Sequence, residues 1–386
     1  MPTPLFRRLA LIAAAFALGV IVFGAFVRLS NAGLSCPDWP TCYGKVSWPT
    51  HASDIATANS QFERAVDTGR AWREQVHRQL AGTLGLLVLA LALLSAWQRR
   101  WGRPQIVLAA ALVAGSIPLY VQQLYGAAAT LAITGELLLL ALAWRTGEAN
   151  DRQSPYTRLC VSALMLIVFQ ALLGMWTVTW LLKPIVVMGH LIGGLSSFAL
   201  LAWLALRSHG WQAQADETLP GRGLVISGLC LLALQIALGG WTSANYAAWA
   251  CGTDFPSCLG QWWPTTDFRE GFVLWRGIGV DYEGGVLDGP ARVAIQLAHR
   301  LLAVLVSAQL LVIAIKAMRL PVLRRYGLTL LAALLAQLTL GIANVKLGLP
   351  LTVAALHNAG AALLLLCLLA LLARISPIRR IESPAR

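Results

Sequence analysis

The chain has 386 residues, of which 58% are hydrophobic and only 12% are charged, and its net charge is +13. Soluble domains carry about 25% charged residues, so this composition excludes a single soluble domain and indicates an integral membrane protein. The positive charge does not indicate nucleic acid as a partner, because the basic residues form short clusters between long apolar runs.

The apolar runs predict ten membrane-spanning helices, since about 20 apolar residues cross a hydrocarbon core of about 30 Å. The first run follows Arg7 and Arg8, as in a signal peptide, but it is long and lacks a small-residue cleavage site. We therefore interpret it as an uncleaved span. The predicted spans are 9–28, 75–97, 104–121, 125–144, 159–181, 184–206, 223–243, 292–315, 327–345 and 351–373.

The loops between these spans differ in charge. The long loops 29–73 and 244–291 contain most of the acidic residues, whereas the basic clusters lie near the N-terminus and in the other loops. Because positive loops stay on the cytoplasmic side, the sequence predicts cytoplasmic N- and C-termini, with both long loops on the outer side of the membrane.

An internal repeat divides the chain into two halves. The cysteine-containing motif at 35–44 recurs at 250–260, and the His-Arg pair at 77–78 recurs at 299–300. Each half has the order span, cysteine loop, His-Arg span, Gln-x-x-x-Gly span, His span. Repeats of this kind determine architecture, so we predict an all-α polytopic membrane protein of two tandem four-helix bundles, related by a pseudo-twofold repeat.

The repeat also predicts the domain boundaries. The N-terminal half comprises 1–207 and the C-terminal half 223–386, joined by a polar cytoplasmic linker at 208–222. The stretch 104–144 has no counterpart in the second half, and a polar turn breaks it near its middle. An inserted helical hairpin fits it best, with one long re-entrant element as the alternative.

Four of the six histidines lie inside predicted spans, at corresponding positions of the repeat: His77, His190, His299 and His357. Polar groups are costly in lipid and commonly mark function. One such histidine is more often a hydrogen-bonded packing residue, but four at related positions favour ligands. We predict two bis-histidine haem iron sites, formed by His77 with His190 and by His299 with His357.

The two halves differ at one informative position. Glu74 precedes His77 by three residues, whereas Gln296 precedes His299 by three. Residues three apart on a helix share a face, so Glu74 is expected to face the His77 pocket. A carboxylate in that pocket predicts acid–base or cation-stabilising catalysis in the first half only. The alternative is that Glu74 is an ordinary charged residue at the membrane interface.

Arg78 and Arg300 directly follow two of the histidines. A guanidinium there is suited to bind haem propionates, and extension of the side chain to the membrane interface is the alternative.

Four of the seven cysteines lie in the two long loops, in closely spaced pairs. The outer side of a bacterial membrane is oxidising, and no further Cys or His stands nearby to complete a zinc site. We therefore predict the disulfides Cys36–Cys42 and Cys251–Cys258.

Taken together, these motifs resemble those of the haem A synthase family. The segment 24–44 is similar to the family's extended loop, and EQVHR at 74–78 resembles its Glu-x-x-His-Arg motif. The resemblance covers nearly the whole chain except 104–144. The remaining motifs follow in the family's order: QALLG (170–174), GHLIGG (189–194), AHR (298–300) and LHNAG (356–360).

The resemblance implies an oxidoreductase that converts the C8 methyl group of haem O to a formyl group, giving haem A for cytochrome c oxidase. It implies haem O as substrate at His77 and His190, with Glu74 as the catalytic acid residue. It further implies a haem b cofactor at His299 and His357, the bacterial inner membrane as location, and haem O synthase as the partner that delivers the substrate. The electron donor and a homo-oligomeric state are left open.

Two other classes share part of the pattern. A di-haem electron-transfer cytochrome has paired histidines but needs neither Glu74 nor the cysteine loops. A haem transporter or chaperone binds haem and releases it unchanged.

Overall fold

The computed structural model describes residues 2–146, 156–210 and 221–376. Ten helices in these ranges are long and apolar enough to cross a membrane, so the chain is a multi-pass membrane protein with the predicted number of spans. Most of the predicted linker, 211–220, lies outside the described residues. The helices are α1 (Pro4–Leu29), α2 (Ala52–Gln61), α3 (Thr68–Ser95), α4 (Gly102–Val121), α5 (Tyr125–Arg145), α6 (Thr157–Thr179), α7 (Pro184–Ser208), α8 (Arg222–Ala244), α9 (Phe268–Gly271), α10 (Gly289–Met318), α11 (Arg324–Lys346) and α12 (Leu351–Ile375).

The start of α3 differs from its prediction by seven residues. The helix begins at Thr68 because the Asp67 side chain caps it, accepting a hydrogen bond from the backbone N–H of Arg70 at 3.0 Å. Hydropathy missed these first two turns because they are polar and precede the apolar run. His77 therefore lies nine residues inside its helix, close to the depth of His299 in α10, which also starts behind a capping aspartate.

Helices α1, α3, α6 and α7 form a four-helix bundle in which each helix contacts two neighbours, in the order α1, α3, α6, α7 and back to α1. Helices α8, α10, α11 and α12 form a second bundle with the same kind of closed order. Buried alanine, leucine and valine side chains fill both interiors. In the first bundle α3 and α7 thus occupy opposite corners, as α10 and α12 do in the second. The pseudo-twofold relation between the halves and the domain boundaries stay predictions.

The two bundles pack against each other through α1, α7, α8 and α12. The bundles also meet at the end that carries the cysteine loops. The guanidinium of Arg28 donates to the carbonyl oxygen of Ser243 at 3.0 Å and lies 4.5 Å from the ring centre of Tyr246. Arg64 forms a 2.9 Å ion pair with Glu283. The halves therefore share an interface both in the membrane and on the loop side.

The stretch 104–144 forms two helices, α4 and α5, that pack against each other and are joined by a short turn, rather than one re-entrant element. Close packing at Gly135 makes this possible, since a Cβ there would lie 2.9 Å from the carbonyl oxygen of Ala109. Helix α5 contacts α6, and Tyr120 of α4 meets Trp39 of the first cysteine loop edge to face. The hairpin therefore flanks the first bundle without entering its interior.

Candidate functional site

Each of the four intramembrane histidines lies against a glycine of a neighbouring helix. At Gly24, Gly239 and Gly341 the ring comes so close that a Cβ would press on it, whereas a Cβ at Gly174 would make an ordinary contact. The distance that measures this contact runs from the ring Cε1 to the position that a Cβ would take. The pairs are Gly24 with His77 (2.5 Å), Gly174 with His190 (3.4 Å), Gly239 with His299 (3.1 Å) and Gly341 with His357 (3.1 Å).

The histidines of each predicted pair extend from opposite corners of one bundle. His77 on α3 and His190 on α7 are close enough to interact electrostatically across the interior, and so are His299 on α10 and His357 on α12. Cofactor sites in helical bundles are built from side chains on facing helices in this way.

The four imidazoles fit axial ligation of haem iron. All four rings keep part of their surface accessible although they lie between helices. Among the described residues, the buried Nδ1 atoms of His77, His190 and His357 have no hydrogen-bond partner. Paired, partly accessible imidazoles of this kind can hold the iron of two haems.

Three glutamines lie one helical turn before three of these glycines. Two of them bond to the histidines, whereas the amide of the third, Gln170, has no hydrogen-bond partner among the described residues. The Gln235 amide donates to the backbone carbonyl of His299 at 3.1 Å, and the Gln337 amide donates to that of His357 at 3.0 Å. The sequence analysis used the glutamines only as markers of the repeat and gave them no role. Their spacing of four from a glycine on an apolar helix was the available signal.

Glu74 is buried, with 4% of its surface exposed, which excludes a solvated interfacial charge. Its carboxylate accepts a hydrogen bond from the backbone N–H of Cys36 at 2.9 Å and forms a 2.6 Å ion pair with Arg78. The side chain thus joins α3 to the first cysteine loop, one turn from His77. Gln296, at the corresponding place in the second half, is buried as well.

Arg78 binds the first cysteine loop. Its guanidinium donates to the carbonyl oxygens of Asp38 at 2.7 Å and Thr41 at 2.6 Å, in addition to its ion pair with Glu74. These bonds hold the loop against the N-terminal part of α3. The predicted contact between Arg78 and a haem propionate stays a prediction.

Arg300 holds the second cysteine loop in the same manner. It donates to the carbonyl oxygens of Ser257 at 2.9 Å and Asp254 at 3.0 Å. Its predicted propionate contact is likewise untested, and the structure adds loop docking as a function that the sequence did not predict.

Both predicted disulfides are present. Cys36 is bonded to Cys42 and Cys251 to Cys258, with Cα atoms 4.6 and 4.7 Å apart. All four cysteines are buried beneath their loops. Beside the first bridge, burial raises the pKa of Tyr43, so its phenol remains protonated and donates to a backbone carbonyl.

Replacing Arg78 by alanine is expected to loosen the first cysteine loop selectively. The change removes hydrogen bonds from a charged donor, each worth about 1.5–3 kcal/mol, and leaves Glu74 buried without its cation. Reduction of Cys36–Cys42 should accelerate at least about tenfold, because a factor of ten corresponds to about 1.4 kcal/mol. Cysteine alkylation followed by mass spectrometry measures this.

The Cys251–Cys258 bridge serves as an internal control for that variant. Arg70→Ala is the matched control, since Arg70 is exposed and its ion pair with Asp67 contributes little. Equal reduction rates in Arg78→Ala and Arg70→Ala would show that the Arg78 bonds do not retain the loop.

The fold and the site define a class: polytopic all-α membrane proteins with paired histidines across each of two bundles. A family model described as cytochrome oxidase assembly protein (COX15-CtaA) matches residues 7–130 and 116–369. The chain therefore belongs to this family, that of the haem A synthases. The two matches overlap at 116–130, inside 104–144, so the departure of this stretch from the family stays a prediction.

Two relatives are similar over almost their full length. The chain is 38% identical over 356 residues to the Heme A synthase of Shewanella oneidensis, which covers 92% of this chain and 91% of the relative. It is 25% identical over 380 residues to the Heme A synthase of Caulobacter vibrioides, again covering 92% and 91%.

Proposed function

We propose that the protein is a haem A synthase, an oxidoreductase that converts the C8 methyl group of haem O to a formyl group. The observation that carries this proposal is the arrangement of four histidines in two facing pairs, each ring against a glycine, with a buried carboxylate beside the first pair only. Membership of the family and the two similar synthases support it.

The N-terminal bundle is the proposed substrate site. His77 and His190 would bind the iron of haem O from opposite corners and thereby orient its macrocycle between α3 and α7. Because this binding fixes the ring, one edge of the macrocycle and its methyl groups can be held near the outer end of α3, where Glu74 lies. Positioning of this kind is itself a large part of catalysis.

Glu74 is the proposed catalytic residue. Two successive two-electron oxidations give the aldehyde. Each adds an oxygen from water to the methyl carbon and releases two protons and two electrons, the electrons pass to an acceptor outside the protein, and the resulting diol loses water. Positive charge develops at that carbon as it is oxidised. A buried carboxylate stabilises such charge strongly and accepts a proton as water adds. The ion pair with Arg78 and the hydrogen bond from Cys36 would hold the carboxylate fixed in direction.

The C-terminal bundle is the proposed cofactor site, with His299 and His357 as the axial ligands of a haem b. When bound, haem b supplies one-electron transfer between an outside donor or acceptor and the substrate site. With Gln296 in place of a carboxylate, this half would hold a haem without catalysing its oxidation.

The proposed location is the bacterial inner membrane, with both termini in the cytoplasm and both cysteine loops outside. Haem O is hydrophobic, so haem O synthase in the same membrane is the proposed source of substrate. The charge difference between the loops supports this orientation.

Extraction of pigments from the purified protein, followed by mass analysis, tests the proposal. After aerobic expression together with haem O synthase, we expect haem A or its hydroxymethyl precursor alongside haem b. Haem b alone would favour the electron-transfer cytochrome. Unchanged haem O alone would favour a transporter or chaperone, and either result would overturn the synthase.

A further inference from the structure

Buried glutamine amides hold the intramembrane histidines unequally. The Gln235 amide donates to the backbone carbonyl of His299 and lies 3.2 Å from its Nδ1. The Gln337 amide makes the corresponding backbone bond to His357. Each amide therefore fixes the position of a histidine on the neighbouring helix, in addition to the contact between the histidine ring and the glycine.

Helices α6 and α7 interlock at His190 by packing, without such a hydrogen bond. The His190 ring rests on Gly174, while the Gln170 side chain enters the notch at Gly193, one turn beyond His190. Both amide atoms of Gln170 are buried without a hydrogen-bond partner among the described residues. Atoms of this kind cost free energy when they stay unpaired, so Gln170 does not fix His190 as Gln235 fixes His299.

The pair α11 and α12 repeats this interlock. The Gln337 side chain enters the notch at Gly360, one turn beyond His357, whose ring rests on Gly341. Its amide oxygen is also buried without a partner in the described part of the chain.

His77 is the exception. One turn before its glycine, Gly24, helix α1 carries the buried Val20, where α8 carries Gln235 before Gly239. Valine offers no hydrogen-bonding group. Loop docking does not compensate for the missing amide at His77, because it is the same in both halves. Arg78 beside His77 and Arg300 beside His299 each hold a cysteine loop.

An axial ligand leaves iron more readily when nothing holds it in place, and partners of a metal-ligating histidine commonly change metal affinity by about 10–100-fold. A substrate haem must leave as product in each catalytic cycle, whereas a cofactor haem must stay. We propose that the two glutamines that bond to the C-terminal histidines, Gln235 and Gln337, are positioning residues. Val20, in turn, makes His77 the ligand that releases the iron when haem exchanges. This rests on the proposed haem sites and adds the route of exchange.

Transfer of bound haem to excess apomyoglobin, followed by absorbance, tests the inference on the full-length protein in detergent. Val20→Gln should slow haem loss from the N-terminal site by about tenfold. It should also raise the fraction of that haem that is six-coordinate and low-spin, measured by electron paramagnetic resonance. Val20→Met, with a side chain of similar size but no amide, should leave both quantities as in the wild type.

Gln235→Val is the reciprocal variant and does not require a larger side chain in the core. It should accelerate haem loss from the C-terminal site by about tenfold and leave the N-terminal site unchanged. If both sites bind low-spin haem but Val20→Gln matches Val20→Met, and Gln235→Val matches the wild type, the inference is wrong while the proposed function stands. A purified protein without any low-spin haem would instead overturn the haem sites themselves.

Discussion

Replacing Glu74 by glutamine is expected to abolish haem A formation while both haem sites remain filled. Glutamine keeps the size of the side chain but cannot stabilise a developing cation or accept a proton, and such groups contribute about 10²–10⁴-fold to rates. We therefore expect the yield of haem A per protein to fall at least about a hundredfold. Mass analysis of extracted pigments, with haem O present, measures this directly.

The second half of the molecule indicates that this variant will fold. There Gln296 occupies the corresponding position, and Arg300 still holds its cysteine loop through backbone carbonyls. In Glu74→Gln, the hydrogen bonds from Arg78 to two backbone carbonyls of the first cysteine loop remain and would hold that loop in place.

The matched control for that experiment is Gln296→Glu. Because Gln296 lies in the proposed cofactor half, haem A formation should stay within about twofold of wild type, a change below about 1 kcal/mol. If Glu74→Gln forms haem A at the wild-type rate and retains both haems, Glu74 is not the catalytic residue. Loss of haem from the N-terminal site in the same variant would point to a structural role.

Replacing Gly24 by alanine is expected to empty the substrate site. A Cβ at this position would stand 2.5 Å from the His77 ring, a separation that forces the ring or a helix to move. Overpacking of a well-packed core costs about 1–3 kcal/mol, and displacement of the ring also removes an iron ligand. The haem content of the N-terminal site should fall at least about tenfold, with the C-terminal haem retained.

Gly19→Ala on the same helix is the control, because a Cβ there would meet no described atom within 4 Å. It should retain both haems in full. Haem content per protein, by optical spectroscopy of the reduced pyridine complexes, distinguishes the two variants. Full N-terminal occupancy in Gly24→Ala would show that the His77 ring does not rest on α1 when haem is bound.

Much of the fold could be predicted because it depends on local properties. Each span is an apolar run of about the length of the bilayer, so hydropathy alone located all ten. The cysteine pairs are close in sequence, and a short separation leaves few alternatives in an oxidising compartment. Prediction failed at the start of α3, where a capping aspartate extends the helix by two polar turns, and at the short loop helices α2 and α9, which have no apolar signal.

By itself, the sequence determined which residues are proposed to carry the chemistry. Histidine, glutamate and cysteine at repeated or nearly repeated positions are properties of the chain order, and polar groups in apolar spans are costly enough to stand out. Only the tertiary structure decided what those residues contact. Arg78 holds a loop, and His77 rests on Gly24 of another helix. Val20 on that helix offers the histidine no amide. All three features depend on parts of the chain that are far apart in sequence. Hydropathy and spacing describe one helix at a time, whereas such contacts depend on how the helices pack together.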